Sequence, residues 1–113
     1  MSNTLHDYVE AVESGYEFLL AYAAQGREDD KGTETRDTLT AMQDAAAGIG
    51  EQLSGQDGFA EIIVDDARKS LAAITLVLSQ DKISSELVDN LNASIHLRAL
   101  LTDLFLLSET LQQ

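Results

Sequence analysis

The chain has neither cysteine nor proline among its 113 residues, only three tyrosines and three phenylalanines for aromatics, and seven basic side chains. Each scarcity excludes something. Without cysteine there is no disulfide, no thiolate nucleophile, no Cys-ligated zinc and no haem attachment. Without proline nothing in the covalent chain forces a helix to kink or stop. Seven bases against twenty acids leave a net charge of −13. That charge argues against nucleic acid or an anionic membrane as a direct ligand, because a phosphate backbone would be repelled rather than neutralised. No window approaches the roughly 18 uninterrupted apolar residues of a membrane span, and the longest apolar cluster, 99–107, is broken by Thr102 and Asp103. No basic and apolar leader follows Met1, so a cytoplasmic location is expected.

What remains is an apolar share of 44%, mostly Leu, Ala, Ile and Val at helical spacing. A chain of this length holds one core, so a single domain over 1–113 is expected, and its class is all-α. The spacing predicts four helices, at 4–25, 35–54, 58–80 and 84–113, arranged as an antiparallel up-down-up-down four-helix bundle. The first places Leu5, Tyr8, Val9, Val12, Tyr16, Leu19 and Ala23 on one face and the acids Glu10, Glu13 and Glu17 on another, with Phe18 outside the main stripe. The second carries Leu39, Met42, Ala46, Ile49 and Leu53, but its interior Gly48 and Gly50 make it the weakest. The third buries Phe59, Ile63, Ala67, Leu71, Ile74, Val77 and Leu78, and Asp57 is placed to cap it.

The last helix is the most informative. Leu97, Leu100, Leu104, Leu107 and Leu111 are three, four, three and four residues apart, a narrow seam of the coiled-coil kind. Leu87, Val88, Leu91 and Ile95 form a second stripe at least a third of a turn away, and Leu101, Phe105 and Leu106 add further apolar surface. Such a helix needs cover on nearly every side, which points to dimerisation through this C-terminal helix, with Phe18 as a second contact. Ser84 is placed as its N-cap, with Ile83 and Val88 as a hydrophobic staple. Arg98 lies on the second stripe and is expected to fix helix register by an ion pair with Asp65 or Asp66, ahead of a contact with an acid of another subunit.

No arrangement of residues suggests catalysis. His6 and His96 lack the Glu three residues earlier that a di-metal bundle needs, since Asn3 and Ala93 stand there. The acids of the 26–32 connector lack the alternating ligands and terminal Glu of a calcium loop. His96 is followed by apolar Leu100 and Leu101, unlike a phosphotransfer histidine. The tyrosines read as core residues with hydroxyls at the rim. No metal or cofactor is expected. The leading expectation is a non-enzymatic interaction module, an adaptor or chaperone-like accessory factor, with a protein partner of basic character and a homodimeric state. An acidic decoy for a basic or nucleic-acid-binding surface comes second. A ligand- or metal-binding bundle comes third.

Overall fold

The computed structural model describes residues 4–111, with side chains through Thr110. Five helices make up the described chain: α1 (Leu5–Ala23), α2 (Thr35–Leu53), α3 (Phe59–Leu78), α4 (Ser85–Ala93) and α5 (Ile95–Leu111). The all-α class stands, and the count of four is corrected to five. The expected last helix is broken at Ser94, whose ψ of 139° is extended rather than helical. Ser94 takes that conformation because its hydroxyl accepts from the Leu97 N–H at 3.4 Å, capping a new helix instead of continuing the old one.

Local signals account for the other boundaries. Thr4 and Asp7 form a reciprocal capping box at the start of α1, with bonds of 3.1 and 3.2 Å. Gly26 closes the helix 1 region with a φ of +66°, a conformation that side chains with a Cβ resist. Ser84 caps α4 as expected, accepting from the Leu87 N–H at 3.0 Å, and Ile83 and Val88 are both buried. Asp57 does not cap α3. That position falls to Gly58, at a φ of +75° and with no side-chain bond.

The core draws on all five helices, with Val12, Leu19, Leu39, Met42, Ile49, Ile63, Ile74, Val88, Leu97 and Leu100 at its centre. α2 packs against both α1 and α3, α4 lies on α1, and α5 lies on α3. Ser70 meets the His96 carbonyl and Asp66 meets Asp103, so α3 and α5 run antiparallel. α5 barely touches α1. The turn at Ser94 is what carries the chain from one neighbour to the other. Two glycines of the core are steric necessities: a Cβ on Gly15 would overlap Met42, and one on Gly48 would overlap the Tyr8 ring. Gly48 of α2 thus makes room for the Tyr8 ring of α1.

One end of the molecule is tied by polar bonds. Arg36 donates to Asp30 at 2.7 Å and to the carbonyls of Leu78, Gln80 and Asp81 at 3.1, 2.6 and 2.9 Å. Asp30 also accepts from the Ile83 N–H at 3.0 Å. Burial alone would raise the Asp30 carboxyl, but the N–H groups of Ile83 and of Asp30 itself, with the Arg36 guanidinium, outweigh it and hold it below the usual range. The buried Tyr22 hydroxyl donates to the Ile83 carbonyl at 2.6 Å, and the Ser85 hydroxyl donates to the Tyr22 carbonyl at 2.7 Å. The α1–α2 and α3–α4 connectors are thereby fastened to each other. Asp29 is likewise engaged, accepting from the Lys31 N–H at 3.0 Å, so this acidic loop is spent on structure.

Candidate functional site

The opposite end is open. Because α5 leaves α1 after Ser94, the first half of α1 and the last turns of α5 flank a groove of about 510 Å³. Leu5, Val9, Phe105 and Leu107 supply its apolar lining, while His6, Glu10, Glu13, Ser108 and Glu109 complete it. Phe105 is 53% exposed, so most of a phenyl ring faces water here. His6 Nε2 lies 3.3 Å from Glu10 Oε2, an ion pair whenever the ring is protonated. On the far side of Leu107 a second, smaller hollow of about 320 Å³ is bounded by Phe59, Leu106, Leu107 and Thr110. Phe59, expected in the core, is 40% exposed, and Leu106 is 53% exposed. This end thus presents a contiguous apolar surface on both flanks of α5.

The residues singled out from the spacing are distributed differently. Leu97, Leu100 and Leu104 are fully buried in the chain's own core, which leaves them no surface to offer a second copy. The seam is covered by α3 and its neighbours. Leu107 alone of the described seam residues reaches the groove, and the side chain of Leu111 lies outside the described residues. Phe18 is half-buried against the core, beside a shallow hollow with Ala11, Ser14, Gly15, Thr38 and Ala41. Arg98 is exposed, and among the described residues no ion pair involves it. Its expected partner Asp65 is held within α3 by Arg68 at 2.7 Å and Lys69 at 2.9 Å, a closer pairing along one helix. Arg36 pairs instead with Asp30 of the connector before α2, and both also bond the α3–α4 region.

Two buried polar groups were not singled out by the spacing. Asp103 is 6% exposed, with an Oδ2 that has no hydrogen-bond partner. Burial, the hydrogen bond shared with Asp66 and the repulsion from that second carboxylate raise Asp103 to about 7. Asn92, at the end of α4, is 4% exposed, and neither its Nδ2 nor its Oδ1 has a partner. The only sign of Asp103 in the sequence is an acid on an otherwise leucine-rich surface, next to Leu104.

His96 is exposed and contributes its backbone carbonyl, which accepts from the Ser70 hydroxyl at 2.9 Å. Among the described residues no group of three or more His, Cys, Asp or Glu is gathered as a metal site, and no helix is long and apolar enough to cross a membrane. No protein-family model, curated protein or solved structure matches the chain.

Proposed function

We propose that this protein is a non-catalytic interaction module that holds a protein partner of basic character against the open end of α1 and α5. The observation that carries this reading is the exposed Phe105 in a groove lined also by Leu5 and Leu107 and by the acids Glu10, Glu13 and Glu109. Apolar surface gathered in a groove and rimmed by charge is the usual form of a protein-binding site. The His6–Glu10 pair in the lining is largely exposed to water, and among the described residues no hydrogen bond ties it to Ser108.

A second copy of the chain fits this groove poorly. With Leu97, Leu100 and Leu104 enclosed, a dimer built on the last helix would rest on Phe105, Leu106 and Leu107. Its approach would also bring a molecule of net charge −13 against a rim of like charge. A basic partner meets attraction instead.

Photo-crosslinking in expressing cells tests the reading. A crosslinking residue at position 105 is expected to yield one discrete, mass-identified protein adduct, while the same residue at position 76, where Leu76 is 66% exposed on α3, yields none. Equal adducts at both positions, or none at 105, would overturn it.

A further inference from the structure

Resting on that docking reading, we infer that the α1–α5 groove takes a basic amphipathic α-helix. Its apolar stripe lies against Leu5, Phe105 and Leu107, and its lysines or arginines reach Glu10, Glu13 and Glu109. The first argument is conformational. Both walls of the groove are helices, so neither offers a free sheet edge to pair with an extended peptide. A strand laid on Leu5, Phe105 and Leu107 would bury unpaired N–H and C=O groups against apolar surface. A helix brings its backbone bonds with it and restores packing between α1 and α5, two elements that barely meet.

The second argument is length. On α1 the lining runs from Leu5 to Glu13, a stretch of about 13 Å at a rise of about 1.5 Å per residue. That accommodates between about two and three turns, and so a stripe at i, i+3 or i+4, and i+7. The third argument is charge. The acids come from both walls, two from α1 and Glu109 from α5, and His6 is the only basic group in the lining. No charged side chain lines the hollow beyond Leu107, so the charge argument assigns the α1 side alone.

The test uses the full chain and three fluorescent synthetic peptides of equal length, read by anisotropy. One carries leucines at i, i+3, i+4 and i+7 with flanking lysines. A second keeps the leucines and replaces lysine by glutamate, and a third scrambles the first so that the stripe is lost. The lysine-flanked stripe is expected to bind at least about tenfold more tightly than either control, to weaken as salt is raised, and to weaken in E10Q/E13Q. Phe105→Ser should abolish binding with helicity by circular dichroism unchanged, because the ring it removes is exposed. Equal binding of the glutamate-flanked peptide, still lost in Phe105→Ser, would overturn the basic occupant and leave the docking reading standing. Equal binding of the scrambled peptide would reduce the effect to general charge attraction and overturn the inference. Binding by none of the three overturns it as well, and crosslinking at position 105 then decides separately whether the docking reading survives.

Discussion

Gly48 and Gly50 stand two residues apart in α2 and are glycine for different reasons. At Gly50 nothing lies within 4 Å of where a Cβ would sit, so the residue only costs helix stability. Gly50→Ala is expected to stabilise the fold by about 0.5–1 kcal/mol, seen as a higher urea midpoint. At Gly48 the Tyr8 ring occupies the space, and Gly48→Ala is expected to destabilise by about 1–3 kcal/mol despite the same gain in propensity. In a Tyr8→Ala background that penalty should shrink, a coupling that a double-mutant cycle measures directly. Asp103 is the other residue whose environment sets its behaviour. In the unfolded chain its carboxyl titrates at its ordinary value of 3.8, and in the fold it is raised to about 7, so the folded state holds the proton more tightly. Its contribution is therefore fully present below the unfolded value and lost as pH rises through about 7. Asp103→Asn keeps a donor for Asp66 without a charge to bury. Thermal melts are expected to show it more stable than the parent above neutral pH, by about 1–3 kcal/mol, with the difference gone near pH 4.

Among the elements, α1, α2 and α3 were legible from spacing to within two residues at each end, because each carries one apolar stripe of constant phase. The last helix misled for an instructive reason. Val88 and Leu91 belong to one stripe and Leu97, Leu100 and Leu104 to another, and on a single straight helix the two cannot face the same core. Read as continuous, they imply a helix that is apolar nearly all round and in need of a partner. Read as two segments, they imply a break between 91 and 97, with Asn92 and Ser94 supplying the residues that favour one. The structure takes the second course and leaves Ile95, the last residue of the second stripe, 74% exposed. The groove was illegible for the same reason, since it exists only because α5 turns away from α1. The Arg36 junction was illegible too, because most of its acceptors are backbone carbonyls of a distant connector, which no side-chain pattern records. Arg36→Ala removes a charged donor from four acceptors and is expected to cost about 2–3 kcal/mol in chemical denaturation.

At the scale of the whole molecule, charge and asymmetry dominate. A net charge of −13 on a body of 42 × 24 × 22 Å works against compactness through self-repulsion. Added salt is therefore expected to raise the melting temperature, checked by calorimetry at low and high ionic strength. One end of this body is fastened by Arg36, Asp30, Tyr22 and Ser85, and the other holds the exposed rings of Phe59 and Phe105. Hydrogen exchange should follow that division, with the slowest amides near Ile83 and faster exchange in the last turns of α5. A bound partner would reveal itself as new protection at the open end alone.

The turn at Ser94 also has a genetic consequence. One extended residue stands between two helices that each advance by about 100° per residue. In a single fused helix, deleting that one codon would turn the row of Leu97, Leu100 and Leu104 by about 100° relative to Val88 and Leu91. Substitution of Ser94 removes only a cap, whereas its deletion changes which face of the last helix meets water.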